Sequence, residues 1–381
     1  MNSPVTKTAT THPALKHTPL HALHVEAGAR FTGFAGYDMP VQYKDGILRE
    51  HQHTRTHAGL FDISHMGQIA IRGDVRAAAL ESLTPADIVE LPEGRQCYAL
   101  LTNDRGGVID DIMIANMGDE LIMVVNAARK TVVFEHLSTA LAGRCTILAL
   151  SHLALLALQG PEAAAVMARL APALATLPFL SVIHVNIGGI QCRVSRSGYT
   201  GEDGYEIALP ADQAEQLARR LLKEPEVGLI GLGARDSLRL EAGLCLYGHD
   251  IDERTTVLAA GLGWTIAKTR RHGGARTGGF PGAAALEHER AVGPVELRVG
   301  LLPEGRAPLR ADVALADATG TTAGRITSGG FSPSLQRPIA MGYLRTDDVR
   351  KRASAYAMLR GQRVPIVQTS LPFVPHRYYR N

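Results

Sequence analysis

Two adjacent carboxylates follow a tight turn in the first third of the chain. The turn begins with Asn103-Asp-Arg-Gly-Gly, and Asp110 and Asp111 come next, ahead of the apolar residues 112–114. Neighbouring side chains of a strand point to opposite faces, so only one of the two carboxylates can face a given interior. A carboxylate in such a place is costly to bury without a partner. The pair indicates either an acid–base group at the mouth of a strand or a hairpin carboxylate that accepts backbone hydrogen bonds.

A glycine-rich loop between Ser197 and Glu206 is the second candidate. Three glycines fall within seven residues there, which allows a backbone to approach a ligand closely. Tyr199 offers an aromatic face, and the carboxylate of Glu206, on the strand beyond the loop, could accept two parallel N–H bonds. An ordinary glycine hairpin is the alternative interpretation.

Two arginines are spaced to share one face of a helix. Arg235 and Arg239 are four residues apart, near the amino-terminal end of a helix that the sequence predicts over residues 234–244. Cations at this end oppose the helix dipole, which favours a compensating role such as binding an anion or a carboxylate. A structural helix with salt bridges explains the same spacing.

Two further patterns resemble functional motifs but are better explained as structural features. Segment 228–236 (GLIGLGARD) looks like a nucleotide loop, but the third small residue of the dinucleotide fingerprint is replaced by Asp236. The histidines His51, His53 and His57 are clustered, yet no HExxH pattern supplies a catalytic base. We expect these histidines to occupy a solvated helix face.

The composition narrows the class of protein. A chain of 381 residues, 45% of them hydrophobic, predicts two or three domains. No apolar run approaches the ~20 residues of a membrane span, so we expect a soluble protein without a membrane partner. Four dispersed cysteines without a CxxC pair argue against zinc sites and disulfides and favour reduced surroundings. With 40 basic and 37 acidic residues, no basic stripe for nucleic acid is present, although a mildly basic face could contact an acidic protein.

Helices and strands must position these candidates. Helices are predicted at 44–57, 128–141, 161–170, 211–223 and 234–244, and strands at 68–72, 99–103, 108–115, 121–126, 145–151, 154–159, 191–197 and 205–209. The irregular alternation, with hairpin-like strand pairs, favours an α+β fold over a doubly wound sheet. From about Val295 onward, short strands between turn residues predict a small β-barrel or sandwich-like domain.

Two segments are predicted to lack regular structure. Residues 268–282, rich in arginine and glycine, are expected to form a flexible surface segment. Residues 1–16 are expected to be a disordered tail, because they show no periodicity and no apolar core of a secretory signal. No arginine occurs before Arg30, which disfavours a mitochondrial transit peptide. A bacterial cytoplasmic location is therefore favoured over the mitochondrial matrix.

Several long motifs together resemble those of the aminomethyltransferase (T protein) family of the glycine cleavage system. The resemblance spans about His21 to Tyr379. It is carried by FDISHMG at 61–67, the segment 102–111, GYTGEDG at 198–204, ARDSLRLEAGLCLYGHD at 234–250, GLGW at 261–264, ITSG at 326–329 and PFVP at 372–375. Each motif alone would be weak, but their number and order are specific.

The resemblance implies a three-domain α+β fold around a central hole that holds folate by its buried pterin end. Two intertwined α+β domains over residues 17–285 would bind folate, and residues 290–381 would form the β-barrel. The implied partners are tetrahydrofolate and the lipoylated H protein. Nitrogen 5 of tetrahydrofolate would attack the methylene carbon on the lipoyl arm, releasing ammonia and giving 5,10-methylenetetrahydrofolate. This chemistry requires no metal or redox cofactor.

The resemblance also implies roles for individual residues. Asp111, the second of the adjacent pair, matches the catalytic carboxylate. Glu206 matches the glutamate that binds the pterin donors, and Arg235 matches an arginine that binds folate. The remaining residues of the implied folate pocket are Tyr98, Asn126, Tyr199, Trp264 and Tyr378.

The chain departs from the family pattern at three positions. Val257 and Ala259 stand where a proline and a glutamate are usual, and Gly279 stands where an aspartate is common. Losing a rigid residue and charges there could alter the rim of the pocket. None of the three is among the residues that the resemblance assigns to catalysis.

Related folds with other activities are alternatives. Sarcosine and dimethylglycine oxidoreductases carry a flavin domain with a dinucleotide fingerprint, which this sequence lacks. A non-catalytic folate-binding protein of iron–sulfur assembly would carry a lysine-glycine-cysteine-tyrosine signature in place of residues 197–202. A demethylase that passes a one-carbon unit to folate is left open by the sequence.

Overall fold

The computed structural model of the protein describes residues 14–359 and 361–380. The α-helices are α1 (His21–Glu26), α2 (Gly46–Thr56), α3 (Arg76–Glu81), α4 (Lys130–Ala140), α5 (Ala163–Leu170), α6 (Ala214–Leu221), α7 (Leu232–Glu241), α8 (Ala283–Val292) and α9 (Thr346–Arg350). Short 3-10 helices lie at Pro172–Leu174, Ala211–Gln213, Gly263–Thr265 and Lys268–Arg270. None of the helices in these two ranges has the length and apolar character needed to cross a membrane.

The strands follow the predicted pattern closely and add several that the sequence did not suggest. They are β1 (Arg30–Phe34), β2 (Tyr37–Gln42), β3 (Ala58–Asp62), β4 (Gly67–Arg72), β5 (Gln96–Thr102), β6 (Val108–Asn116), β7 (Glu120–Val125), β8 (Thr146–Ala149), β9 (Leu153–Gln159), β10 (Val182–Ile187), β11 (Ile190–Ser195), β12 (Gly204–Pro210), β13 (Val227–Leu229), β14 (Glu296–Pro303), β15 (Ala314–Ala316), β16 (Thr322–Ser332), β17 (Arg337–Arg345), β18 (Ala355–Leu359) and β19 (Gln362–Thr369).

Two interleaved sheets form the first part of the chain. The six-stranded sheet has the order β10-β11-β12-β9-β3-β13, and the five-stranded sheet has the order β5-β6-β7-β4-β8. The chain enters the first sheet at β3, builds the whole second sheet, and returns to the first at β9. All pairs in these sheets are antiparallel except β13 with β3. The predicted α+β class, with hairpin-like strand pairs, is confirmed.

Each of these sheets packs one face against helices. Buried apolar residues of the six-stranded sheet pack with α5 and α6, and those of the five-stranded sheet pack with α3 and α4. Helix α6 shows why: Ala214, Leu217, Ala218 and Leu221 are buried and follow the spacing of one helical stripe. The opposite faces of the two sheets are therefore left to face each other.

The carboxy-terminal strands close into a barrel. Its order is β14-β17-β16-β15-β18-β19, with antiparallel pairing throughout. At Gly324 an added Cβ would lie 1.9 Å from the carbonyl oxygen of Tyr343, so this crossing of β16 and β17 requires glycine. The predicted β-barrel is confirmed.

The predicted solvated histidine face is wrong for His51, whose exposed fraction is 0%. Helix α2 packs against α7, and this contact places the His51 ring against the carboxylate of Glu241, 3.1 Å away. Arg55, one turn later, donates to the same carboxylate at 2.8 Å. His53 is half-buried and only His57 is exposed. The histidine spacing gave no hint of a buried acid on a helix that lies far along the chain.

The expected flexible segment at 268–282 is also corrected by the structure. Arg270 is buried, and its guanidinium donates to Glu81 at 2.6 Å. Arg276 donates to the same carboxylate at 2.8 Å. Glu81 also accepts the backbone N–H groups of Ile88 and Val89. The arginines that suggested a solvated segment instead anchor it to α3.

The predicted tail at residues 1–16 falls mostly outside the described residues, which begin at 14. The backbone of Lys16 is bound to the β1–β2 hairpin: its N–H donates to Gly36 and its carbonyl accepts from Asp38, both at 2.9 Å.

Glu241 is the buried centre that joins α2 and α7 to the barrel. Ser332 and Ser334 of the barrel side donate to it at 2.5 and 2.7 Å. Burial alone would raise the pKa of Glu241, but the His51 contact and the serine hydroxyls outweigh burial and hold the pKa well below its usual 4.5. The ionised carboxylate therefore stabilises the folded state.

Glu241→Gln is expected to lower the free energy of unfolding by about 2 kcal/mol at neutral pH, because charged hydrogen bonds are lost. A depressed carboxyl pKa contributes stability above the unfolded value, and this contribution is lost as the pH falls below it. The difference between the two proteins should therefore shrink at about pH 3.5. Urea denaturation at neutral pH and at about pH 3.5 measures this difference in the free energy of unfolding. Glu215→Gln, which removes an exposed partner of Arg219, is the control and should change stability by less than about 0.5 kcal/mol. Equal stability of wild type and Glu241→Gln would contradict the prediction.

Candidate functional site

The first group of site residues gathers around Asp111 on β6. The pairing of β5 with β6 sets Leu100 opposite Asp111 and Tyr98 opposite Met113. The Tyr98 hydroxyl donates to Asp111 Oδ2 at 3.1 Å, and Asn126 Nδ2 donates to Asp111 Oδ1 at 2.7 Å. Both carboxylate oxygens of Asp111 thus have a donor. Three of the predicted site residues are brought together by these contacts.

The strand alternation separates the two adjacent aspartates, as the sequence predicted. Asp111 is half-buried, whereas Asp110 points to the other face and has an exposed fraction of 0%. Burial, assisted by the charge of Asp111, raises the pKa of Asp110 to about 7 against the opposing effect of Asn126 and Arg129. Burial also raises the pKa of Asp111, although Asn126 and Tyr98 act in the opposite direction. The site therefore holds two carboxyl groups that bind protons more readily than an aspartate in water.

The second group lies on the six-stranded sheet around Glu206. The pairing of β11 with β12 sets Ser195 opposite Glu206, and the Ser197 hydroxyl donates to Glu206 Oε2 at 3.0 Å. Burial raises the pKa of Glu206, while Ser197 and the charge of Arg235 lower it. One oxygen of this half-buried carboxylate has a hydroxyl donor, and Oε1 has no partner among the described hydrogen bonds.

Arg235 and Tyr199 lie beside this glutamate. The Arg235 guanidinium carbon is 4.5 Å from the centre of the Tyr199 ring, which is a cation–π contact. The Tyr199 hydroxyl donates to the carbonyl oxygen of Cys245. Burial raises the pKa of Tyr199, and the charges of Arg239 and Arg235 oppose this effect.

Arg239, the helical neighbour of Arg235, has a structural role. It is buried and donates to Asp250 at 2.7 Å and to Ser328 of the barrel at 2.9 Å. The salt-bridged alternative is therefore confirmed for Arg239, and a ligand-binding role of Arg235 stays a prediction. Arg239 forms the salt-bridged helix, and Arg235 faces the candidate site.

A cavity between the two sheets connects with the glutamate group. It is a narrow space of about 20 Å³, and both sheets contribute to its wall. Met113, Val124 and Leu155 give the wall an apolar surface, with Glu206 and Ser195 as polar groups. Small-molecule sites have the same mixture of apolar walls and a few polar groups, but their volume is on the order of 300 Å³ or more, so this space is a gap beside Glu206 and not a complete ligand pocket.

Two predicted residues lie at the margin of this arrangement. Trp264 is 63% exposed, and its ring stacks on Tyr98 with 5.6 Å between centroids. Tyr378 stacks on Phe179 at 4.4 Å. Between residues 14 and 380, no described hydrogen bond joins Tyr378 to Asp111 or Glu206. The structure thus brings Trp264 to the Asp111 group and places Tyr378 in a separate aromatic contact.

The sequence did not single out three polar residues that the structure adds to the site. Ser197 was recognised only as the start of the glycine loop, Asp110 only as a neighbour, and Arg193 not at all. Arg193 lines the cavity and donates to Gln68 Oε1 at 2.7 Å, and burial lowers its pKa to about 10. The period-two alternation with Ser195 is the one signal that could have placed Arg193 on the cavity face.

The glycines of segment 228–236 serve packing. An added Cβ would lie 2.5 Å from the Val41 carbonyl oxygen at Gly231 and 2.5 Å from Ile47 at Gly233. The N–H of Gly231 donates to the Glu50 side chain at 2.8 Å. These glycines let α7 approach β2 and α2 closely, which explains the pattern without a nucleotide.

One group of side chains could offer ligands to a metal ion. His17, His21 and Asp38 place ligand atoms within 4.8 Å of one another. The two imidazole rings are stacked in parallel with 3.6 Å between centroids, so their nitrogen lone pairs lie in separate planes. Tetrahedral coordination needs ligand atoms that converge on one point. In the observed orientation this group is not arranged for a shared ion.

The departures at Val257 and Ala259 fall in a packed region. Both are buried, and Val257 belongs to an apolar cluster with Leu100 and Val108, which flank the aspartate strand. Its N–H donates to the Gly106 carbonyl at 3.1 Å. Val257 therefore fills a packed position behind the Asp111 strand, and the buried Ala259 places no charge in this region.

Comparison with known proteins assigns both parts of the chain. Residues 20–270 match the family described as the GCVT N-terminal domain, and residues 297–375 match the glycine cleavage T-protein C-terminal barrel domain. The mitochondrial aminomethyltransferase of Gallus gallus is 45% identical over 373 residues, which cover 96% of this chain and 94% of that protein. The mitochondrial aminomethyltransferase of Homo sapiens is 42% identical, with 96% and 91% covered.

A solved structure agrees with these matches. The crystal structure of glycine cleavage system aminomethyltransferase T from Bartonella henselae has a TM-score of 0.90 and 43% sequence identity, and the match covers 96% of this chain and 99% of that one. The family resemblance and the fold predicted from the sequence are confirmed.

Proposed function

The chain belongs to the glycine cleavage T-protein family and is an aminomethyltransferase, and we propose that its Asp111 and Glu206 groups carry out the transfer to tetrahydrofolate. The observation that carries this assignment is the placement of two half-buried carboxylates with raised pKa values on two facing sheets, with Glu206 in the wall of the narrow space between the sheets.

Glu206 would bind the pterin end of folate. A carboxylate accepts two parallel N–H bonds, and the pterin ring offers such a pair at its exocyclic amine and the adjacent ring nitrogen. Ser197 keeps one oxygen of Glu206 oriented by its 3.0 Å hydrogen bond. Arg235, stacked on Tyr199, would contact folate from the same side and help keep Glu206 ionised.

Asp111 would assist the movement of protons. Forming the methylene bridge removes one proton from N5 and one from N10 of tetrahydrofolate, while ammonia and the lipoyl thiol each gain one. A carboxyl group with a raised pKa can accept and return such protons near neutral pH. Tyr98 and Asn126 hold both oxygens of Asp111, so the group is oriented before substrate arrives.

The remaining proposed roles concern the rim and the partner. Trp264, exposed and stacked on Tyr98, would cover the entrance beside Asp111. Tyr378 would act from the carboxy-terminal tail, and the lipoyl arm of the H protein would reach the site from outside. We propose residues 17–285 as the folate-binding region and 290–381 as the barrel domain. The four cysteines are free thiols, which fits a reducing compartment such as the bacterial cytoplasm.

Incubating the protein with aminomethylated H protein and tetrahydrofolate is expected to release one ammonia for each methylenetetrahydrofolate formed. Ammonia is measured by a coupled assay and the folate product by chromatography. A run without tetrahydrofolate should release ammonia much more slowly. Folate product without ammonia from a methylated amine would instead identify a demethylase, and no product from either substrate would reject folate-dependent transfer.

A further inference from the structure

We propose that Asp110 is a positioning residue for the transfer reaction: it holds Asn126, and Asn126 in turn fixes the Asp111 carboxylate. The proposal rests on the proposed function, because it gives the buried partner of the proposed catalytic group its own role. Asp110 would touch neither folate nor the reacting carbon.

The contacts of Asn126 show how the two aspartates are connected. Asp110 Oδ2 accepts the backbone N–H of Asn126 at 3.1 Å, and Asp110 Oδ1 accepts Asn126 Nδ2 at 2.8 Å. The same Nδ2 donates to Asp111 Oδ1 at 2.7 Å. The backbone carbonyl oxygen of Asp111 is a third, longer contact of this nitrogen at 3.1 Å. An amide nitrogen carries two hydrogens, and the two carboxylate oxygens are its shorter contacts, so they are the principal acceptors. Exchanging the positions of the Asn126 amide oxygen and nitrogen is unfavourable, because the oxygen would then face two carboxylates and be repelled by them.

A purely structural role would not require a carboxylate at this place. Asp110 is fully buried, and its described hydrogen bonds all come from Asn126. The nearby Arg129 donates instead to the Ile109 carbonyl at 3.0 Å and to Glu253 at 2.5 Å. A buried carboxylate with a structural role is normally paired with a cation, but among the described residues no cation donates a hydrogen bond to Asp110. What the carboxylate supplies here is the orientation of Asn126.

The protonation state of Asp110 should therefore govern activity. Its pKa is raised to about 7 by burial and by Asp111, with Asn126 and Arg129 opposing. Tyr247 and Glu253 also face this region. Ionised Asp110 accepts both Asn126 donors, whereas the protonated form presents an O–H to one of them and loses that bond. We expect kcat to fall as the pH decreases through about 7, with the value belonging to the aspartate pair as a unit.

A double-mutant cycle tests the proposal with Asp110→Asn, Asn126→Ala and the two combined. Asp110→Asn places an amide N–H against the Asn126 donors at every pH, so it should lower kcat by about 10- to 100-fold. It should also abolish the decrease of kcat that the wild type shows as the pH falls through about 7. Asn126→Ala should do the same. The combined variant should be less than about 2-fold slower than Asn126→Ala, because Asp110 acts through Asn126. Folate Kd should stay within about 3-fold of wild type in Asp110→Asn, because Asp110 is not among the residues of the implied folate pocket.

Asn116→Ala is the matched control. Asn116 also ends a strand and makes side-chain hydrogen bonds, to the Leu91 carbonyl and the Gly118 N–H, but lies outside the site. Its kcat and pH profile should equal those of wild type.

The positioning role would be overturned if the kcat loss of the combined variant equalled the product of the two single losses. It would also be overturned if kcat of Asn126→Ala still fell as the pH decreased through about 7. If Asp110→Asn does not fold, the Asn126→Ala pH profile decides alone. Absence of ammonia release by the wild type would reject the proposed function instead. A crystal structure of Asp110→Asn would then judge the positioning: an unchanged 2.7 Å contact between Asn126 and Asp111 would reject it.

Discussion

Replacing Asp111 with asparagine is expected to lower kcat by about 1000-fold, which is within the range for loss of an acid–base group. Asparagine has nearly the shape of aspartate and can still accept a hydrogen bond from Tyr98 or Asn126, so the cavity should keep its form. The amide cannot take up and return a proton. The Kd for tetrahydrofolate should therefore change by less than about 3-fold, since Glu206 and Arg235 would still bind the ring.

Single-turnover ammonia release and calorimetric titration with tetrahydrofolate measure the two effects separately. Asp104→Asn is the control: it makes the same chemical change seven residues earlier in the chain, on the exposed turn that precedes the strand. It should leave kcat and Kd unchanged. A rate near that of wild type for Asp111→Asn would show that the proton is moved by another group, and a large loss of affinity would make Asp111 a binding residue.

The candidate site could be predicted from the sequence where its residues belong to one local segment. The alternation of Asp110 and Asp111 across β6 follows from strand geometry, and the structure has it. The helix that carries Arg235 and the carboxy-terminal barrel follow from periodicity and turn spacing. The roles of Asp111 and Glu206 came from the family resemblance, because a carboxylate on a strand does not by itself identify its ligand.

The contacts between distant segments could not be predicted from local patterns. The spacing of the histidines predicted a solvated His51. In the structure α2 packs against α7, and His51 is buried against Glu241. The composition of residues 268–282 predicted flexible arginines, but Arg270 and Arg276 donate to Glu81, which lies 189 and 195 residues earlier in the chain. His51 and Arg270 are buried, and Arg276 is half-buried, because their acidic partners lie far away in sequence. The local sequence shows that a side chain can carry a charge, but only the tertiary contacts show whether that side chain is paired and buried.

Glu206→Ala is expected to weaken tetrahydrofolate binding by about 100-fold, because a carboxylate that accepts two N–H groups contributes about 3 kcal/mol. The lost affinity should appear in Kd, measured by calorimetry, while kcat at saturating folate should fall much less. Glu287→Ala, an exposed glutamate on α8, is the control and should bind folate as wild type does. Unchanged affinity in Glu206→Ala would reject the pterin contact.

The pH dependence of folate binding tests the same contact without removing it. Only the ionised carboxylate accepts both N–H groups, and burial raises the pKa of Glu206 above its usual 4.5. Affinity should therefore fall as the pH decreases, with a midpoint above that value. Ser197 acts in the opposite direction by donating to the ionised form, so Ser197→Ala should move the midpoint to higher pH and weaken binding at neutral pH by about 3- to 10-fold. A midpoint that Ser197→Ala leaves in place would mean that the titrating group is not Glu206.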